Sequence, residues 1–150
     1  MRVFKGADEL LAAAGEQLGT SDWMTIDQKR VNAFADATED HQWIHVDPDR
    51  AADGPFGSTI AHGFLTLSLL PYLIFQTYRV EDAAMTINYG LNKVRFPAPV
   101  LVGSTVRADV ALAEVAEVAG GVQLVLRATM QIDGGTKPGC VADWVTRVYF

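Results

Sequence analysis

The chain has 150 residues, of which 49% are hydrophobic and 20% are charged. This length predicts one domain, residues 1–150, with a hydrophobic core of its own, and the composition excludes a disordered or coiled-coil chain. Twelve Lys and Arg against eighteen Asp and Glu give a net charge of −6, so we expect no nucleic-acid partner.

Helical patterns occupy the first half of the chain. Thr25 followed by Gln28 resembles a capping box, and a short extended segment at 23–25 precedes it. Asp47 followed by Pro48 predicts another helix start, with Asp as the N-cap. The predicted helices cover residues 8–17, about 27–36, a short segment from 48 that ends before 54, and 63–78. Residues 38–44 have no clear period and are predicted to form a loop.

The helix predicted at 63–78 is apolar almost all round, so we expect the rest of the fold to enclose it. Pro71 lies inside it and predicts a kink, because proline removes a backbone donor.

Strand patterns fill the second half, at 84–96, 104–118, 122–133 and 141–150, with Gly and Pro between them. Helices followed by long antiparallel strands predict an α+β fold. A sheet with one buried face would wrap around the apolar helix.

The cysteine count, the N-terminus and the longest apolar run bear on compartment and membrane contact. Cys140 is the single cysteine, so no internal disulfide can form, which favours the cytoplasm. The N-terminus lacks the layout of a signal peptide. The most apolar run, 64–75, is shorter than the roughly 20 residues that a membrane-spanning helix needs. We therefore expect a cytoplasmic protein without a membrane partner.

The segment 39–45 has the densest group of ionisable side chains. Asp40 and His45 lie five residues apart, so in a loop they can converge, hold one water and move protons near neutral pH. The first alternative to a proton-transfer site is that this segment is an ordinary solvated loop. A metal site at His41 and His45 is the second, but no Cys or third His lies at ligand spacing, and we expect no metal.

Gly63 lies where a loop meets the start of the apolar helix. Free N–H groups at a helix N-terminus can stabilise an oxyanion, and glycine lets a ligand approach closely. Alternatively, Gly63 only relieves crowding between helix and sheet.

Three segments together resemble the MaoC-like hydratases, the hot-dog-fold (R)-specific enoyl-CoA hydratases: residues 34–45, Ala61-His62-Gly63 and 94–100. The resemblance runs from Trp23 to the end of the chain. The motif of that family reads Gly-Asp-x-Asn-Pro-aliphatic-His, and its catalytic Asp and His match Asp40 and His45. Its oxyanion glycine matches Gly63.

The chain departs from this motif at three positions. Glu39 replaces Gly, Gln42 replaces Asn and Trp43 replaces Pro, while Ile44 keeps the aliphatic position. Glu39 places a second carboxylate beside Asp40, which raises a carboxyl pKa if both face the pocket. Gln42 keeps an amide that can bind substrate. We interpret the changes as tuning, since the catalytic pair is intact.

The resemblance implies a long central helix wrapped by a bent antiparallel sheet, in a homodimer. It also implies reversible hydration of trans-2-enoyl thioesters to (3R)-hydroxyacyl thioesters in fatty acid metabolism. The substrate would be carried by CoA or an acyl-carrier protein, and no cofactor is needed. An acyl-CoA thioesterase and a non-catalytic acyl-thioester-binding subunit are the alternatives.

Two cations are candidates for binding the CoA phosphates. Lys93 and Arg95 share one face of the strand predicted at 84–96, although ordinary solvent-facing cations would have the same spacing. His41 and His62 receive no proton-transfer role.

Overall fold

The computed structural model describes all 150 residues, in five helices and eight strands. The helices are α1 Ala7–Ala12, α2 Gln28–Thr38, α3 Trp43–Val46, α4 Pro48–Ala52 and α5 Gly63–Ile74. The strands are β1 Arg2–Phe4, β2 Gln17–Thr20, β3 Met24–Thr25, β4 Tyr78–Val80, β5 Met85–Arg95, β6 Thr105–Val118, β7 Gly121–Ile132 and β8 Cys140–Tyr149.

The main sheet is antiparallel and has the strand order β2-β6-β7-β8-β5, with β3 also pairing with β6. Alternate residues of β6 are fully buried, from Val106 to Leu112, and α5 packs on this apolar face. The four predicted strands are confirmed to within one residue at each end. In β6 and β7 the alternation of buried and less buried residues is that of a half-buried strand. The predicted α+β architecture is confirmed. A second, two-stranded sheet pairs β1 with β4 in parallel.

The central helix is less enclosed than its composition predicts. Leu65, Leu70 and Leu73 are buried against the sheet, but Phe64 is 69% exposed and Tyr72 is 60% exposed. These two side chains lie eight residues apart, so they follow one stripe along the outer side of α5. The expectation that the rest of the fold encloses this helix is therefore wrong on the side of α5 that carries Phe64 and Tyr72, which the chain itself leaves exposed.

Two predicted helices are too long. The helix at 8–17 ends at Ala12, and Gly15 then takes a positive φ of 90° that leads the chain into β2. The helix at 63–78 ends at Ile74, whose carbonyl accepts the Thr77 hydroxyl at 2.7 Å, and the next residues form β4. Pro71 lies within α5.

The segment before the candidate site also differs from prediction. The side chain of Asp27 caps α2 by accepting the Arg30 N–H at 2.8 Å, so the Thr25–Gln28 capping box is wrong. The helix runs to Thr38 and ends where Glu39 takes a left-handed φ of 63°. Only residues 39–42 of the predicted loop at 38–44 are non-helical. The Asp47 cap on α4 is confirmed by its bond to the Arg50 N–H at 3.0 Å.

None of the five helices has the length and apolar content needed to span a membrane.

Candidate active site

Three chain segments meet at the candidate site. Asp40 lies in the loop between α2 and α3, His45 lies in α3, and His62 is the residue just before α5. One carboxylate or ring-nitrogen atom from each of the three lies within 4.8 Å of the others. The fold thus brings together the predicted pair, Asp40 and His45, and adds His62 to it.

His45 is held in one tautomer. Its Nδ1 lies 2.7 Å from the Ile60 carbonyl oxygen, which can only accept, so Nδ1 carries the proton. The neutral ring therefore keeps an unprotonated Nε2 that can accept a proton. Burial lowers the pKa of His45 below 6.5, and His62 acts in the same direction, while the Ile60 carbonyl and Asp40 oppose the shift. The hydrogen bond from Nδ1–H and the lowered pKa together favour a neutral His45 ring near pH 7, with Nε2 free to accept a proton.

The backbone at His45 is fixed by a part-buried hydrogen-bond network. The Gln28 amide donates from Nε2 to the His45 carbonyl oxygen at 2.7 Å, and its Oε1 accepts the Thr59 hydroxyl at 2.6 Å. The Ile60 N–H donates to the Ile44 carbonyl at 2.9 Å. Sequence reasoning missed Gln28 and Thr59, because their contacts span 17 and 31 positions and no local pattern marks them.

His62 occupies the interior of the site and is only 2% exposed. Its Nε2 lies 2.9 Å from the Asp40 carbonyl oxygen. Its ring stacks on His45 with centroids 3.8 Å apart and planes 24° apart, and it also packs on Phe34 at 4.9 Å. The Nδ1 atom is buried without a hydrogen-bond partner.

The other predicted loop residues lie further out. The Asp40 side chain is exposed, and one carboxylate oxygen lies 3.5 Å from the Gln42 backbone N–H. The Gln42 side chain is exposed and makes no capping bond, and Glu39 is exposed at the end of α2. His41 pairs with Asp36 at 2.9 Å, which raises the pKa of His41.

The structure changes which residues could ligate a metal. His41 is engaged by Asp36 and does not join the cluster, so the pairing of His41 with His45 is wrong. Asp40, His45 and His62 offer one ligand atom each within 4.8 Å of the others, but Nδ1 of His45 and Nε2 of His62 already face backbone carbonyl oxygens, so one nitrogen of each ring is left to accept.

Gly63 is the first residue of α5, and its N–H has no acceptor within the chain. A Cβ atom at this position would lie 3.2 Å from the Phe96 ring. Gly63 and Phe96 line an apolar depression of about 330 Å³ together with neighbours such as Ile60, Thr66 and Val100. The glycine therefore both leaves a free donor and avoids crowding.

The two predicted cations lie on the outer face of the sheet. Lys93 and Arg95 are exposed and line a depression of about 320 Å³, while Val94 between them packs against the core. Their shared face is thereby confirmed. Arg127 and Asp143 line the same depression and form an ion pair with contacts of 2.7 and 3.1 Å.

Comparisons with known proteins agree with this architecture. The MaoC like domain model matches residues 9–131. The chain is 59% identical over 148 residues to 3-hydroxyacyl-thioester dehydratase Z from Mycobacterium tuberculosis (strain ATCC 25618 / H37Rv), covering 98% of each chain. It is 46% identical over 140 residues to nodulation protein N from Rhizobium leguminosarum bv. viciae, covering 91% of this chain and 86% of that protein.

A solved structure of the (R)-hydratase from A. caviae superposes with a TM-score of 0.71 at 27% identity, covering 89% of this chain and 94% of that chain. The chain belongs to the MaoC-like dehydratase family. The hot-dog fold implied by the sequence motifs is confirmed.

Proposed function

We propose that this protein is an (R)-specific enoyl-thioester hydratase, which adds water reversibly to trans-2-enoyl thioesters and forms (3R)-hydroxyacyl thioesters. The observation that carries the proposal is the convergence of Asp40 and His45, with an unprotonated Nε2 on His45. The 59% identity to a 3-hydroxyacyl-thioester dehydratase supports the same reaction class.

One water can contact both catalytic groups. Two hydrogen bonds of about 2.8 Å made by one water at a near-tetrahedral angle span about 4.6 Å, and one ligand atom from each residue of the cluster lies within 4.8 Å of the others. His45 removes a proton from the water as its oxygen adds to the β-carbon. Asp40 orients the water, and its carboxylate then takes the proton over from His45 and delivers it to the α-carbon. The hydroxyl and the proton of one water thus both end in the product, and both side chains return to their starting state.

Gly63 supplies the electrostatic part of the mechanism. As electrons move from the double bond to the thioester carbonyl, the oxygen gains negative charge. The free N–H of Gly63 at the start of the twelve-residue helix α5 is suited to bind this oxygen, because the helix dipole favours an anion there. The thioester itself acidifies the α-carbon, so the reaction requires no redox or metal cofactor. Gln42 is retained as a candidate substrate contact.

The test is direct assay on crotonyl-CoA, with chiral analysis of the product. A hydratase consumes the enoyl absorbance and yields the 3R product without releasing thiol. Release of free CoA would instead identify a thioesterase, and lack of any turnover by the folded protein would favour an acyl-thioester-binding subunit. A 3S product would contradict the assigned stereochemistry.

The carrier half of the substrate is proposed to lie near Lys93 and Arg95. These exposed cations border a depression that also contains the Arg127–Asp143 ion pair, so Lys93 and Arg95 are its two cations without a carboxylate partner. In a chain of net charge −6, such a local group is a suitable place for the CoA phosphates.

A homodimer is proposed as the working assembly. The edge strand β5 carries exposed apolar side chains, and so does the outer stripe of α5: Met85, Ile87, Tyr89 and Leu91 on the strand, and Phe64, Tyr72 and Phe75 at the helix. Edge strands of this kind are usually paired or covered, and a second copy joined edge to edge does both. Light scattering is expected to give twice 16.3 kDa. A stable monomer at micromolar concentration would contradict the proposal.

The cytoplasm is the proposed location and fatty acid metabolism the proposed context. The single cysteine, Cys140, is buried and unpaired, and burial raises the pKa of its thiol to about 11. Such a thiol is unreactive, and the fold requires no oxidising compartment.

A further inference from the structure

His62 lies between the two proposed catalytic residues and contacts both of them. Its Nε2 reaches the Asp40 backbone, and its ring stacks on the His45 ring. We infer that His62 is a positioning residue for hydration, which donates its Nε2–H to the Asp40 backbone and so holds the Asp40 loop at a fixed distance from His45. This inference rests on the proposed function, since positioning matters only if Asp40 and His45 share one water.

The tautomer of His62 follows from its partners. The Asp40 carbonyl oxygen, 2.9 Å away, can only accept, so Nε2 carries the proton. The remaining nitrogen, Nδ1, is buried and has no partner. The Nε2 proton is engaged by the Asp40 carbonyl oxygen, so it is not available to the substrate as the proton donor of the reaction.

The same ring connects elements that are far apart in the chain. The bond from His62 to Asp40 spans 22 positions and ties the exposed loop 39–42 to the start of α5. The other contact of Asp40 within the loop, from the Gln42 N–H, is long at 3.5 Å. His62 packs on Phe34 as well as on His45, so its ring is fixed by α2 and α3 together. His62 is thus the buried tie on the Asp40 backbone, whereas the other side-chain tie on this loop, between His41 and Asp36, is exposed and does not contact Asp40.

Positioning of this kind affects turnover more than binding. A displacement of about 1 Å in a catalytic group can cost roughly 10²-fold in rate, because the water no longer reaches both partners. The thioester contacts proposed at Gly63 would be retained, so the Michaelis constant should change little.

Two substitutions separate the donor from the ring. H62F keeps an aromatic ring beside His45 but loses the N–H to Asp40, whereas H62Q keeps a side-chain N–H and loses the ring. We expect H62F to lower kcat on crotonyl-CoA by about 10- to 100-fold with KM changed less than about threefold, and H62Q to recover most of that loss. The matched control is H41F, because His41 is exposed, lies outside the cluster and should retain full activity.

The coupling to Asp40 is tested in a D40N background. If His62 acts through Asp40, adding H62F to D40N should lower the remaining rate by less than about threefold. Independent, additive losses would overturn the inference. Equal losses in H62F and H62Q would also overturn it, as would wild-type turnover in H62F. Circular dichroism on the same samples checks folding.

A spectroscopic measurement on the wild-type protein requires neither activity nor a variant. Nitrogen-15 histidine spectra are expected to show a hydrogen-bonded proton on Nε2 of His62 and the Nδ1–H tautomer of His45. A His62 ring that carries its proton on Nδ1 alone would overturn the inference. A wild-type protein with the expected tautomers but without hydration activity would instead refute the proposed function, so the two failures are distinguishable.

Discussion

Replacing Gln28 by alanine removes the amide that holds the backbone of His45. The change leaves two buried residues without a partner, at the Thr59 hydroxyl and the His45 carbonyl oxygen, which now bond at 2.6 and 2.7 Å, and it also removes the bond to the exposed Asn32. Each unsatisfied buried group costs about 1–3 kcal/mol, but Gln28 is half-buried and water can replace part of the loss. We therefore expect about 2 kcal/mol of lost stability, which lowers Tm by about 4–8 °C in a chain of this length.

The loss of stability should be accompanied by a loss of turnover. Freed from Gln28, the His45 backbone shifts relative to Asp40, and kcat should fall about tenfold. Thermal unfolding followed by circular dichroism gives Tm, and the decrease in enoyl absorbance of crotonyl-CoA gives kcat. Thr59→Val combined with Gln28→Ala should show a coupling of about 1 kcal/mol, since both changes break the same bond.

The matched control for Gln28 is Asn32→Ala. Asn32 accepts the same Gln28 amide at 2.9 Å, but it is exposed, so its removal should shift Tm by no more than about 1 °C. A Gln28→Ala protein with the Tm and kcat of the wild type would refute the reasoning.

Three further predictions concern the base, the oxyanion donor and the carrier site. The base must be neutral, and burial holds the pKa of His45 below 6.5, so kcat/KM for hydration should fall only as the pH drops below 6.5. A fall in kcat/KM centred above pH 6.5 would contradict this prediction. Gly63→Ala places a Cβ 3.2 Å from the Phe96 ring and should lower kcat/KM about tenfold or more. Adding Phe96→Ala should restore part of the loss, whereas a fully active Gly63→Ala protein would argue against the proposed donor. Replacing Lys93 and Arg95 by alanine should raise KM for enoyl-CoA more than it lowers kcat and should weaken the salt dependence, and unchanged kinetics would leave them as solvent-facing cations.

The strands were predictable because their signal is local. Alternating apolar residues in 105–118 and 121–132 match the half-buried strands that form. The helix predicted at 8–17 shows the limit of local signals. Its alanine-rich sequence favours helix, but residues 17–20 pair with β6 instead, an outcome fixed by residues far along the chain.

The candidate site also contains residues that the sequence predicts and residues that it does not. Asp40, His45 and Gly63 could be chosen because they lie in short motifs. The residues that hold them in place, Gln28 and His62, could not be chosen from the sequence, because they act through contacts 17 and 22 positions away. The exposed stripe of α5 was also missed, since an apolar sequence does not reveal whether its own chain or another copy covers it.

The most direct test of the central claim is the hydration rate of crotonyl-CoA by D40N, measured beside H45Q and the double variant. Asn keeps the shape of Asp40 but cannot accept a proton, and Gln at position 45 cannot titrate near pH 7. Each single variant is expected to lose about 10²–10⁴-fold in kcat with an intact fold, and the double variant little more, because the two groups act on one water. Near-normal hydration by correctly folded D40N would contradict the account.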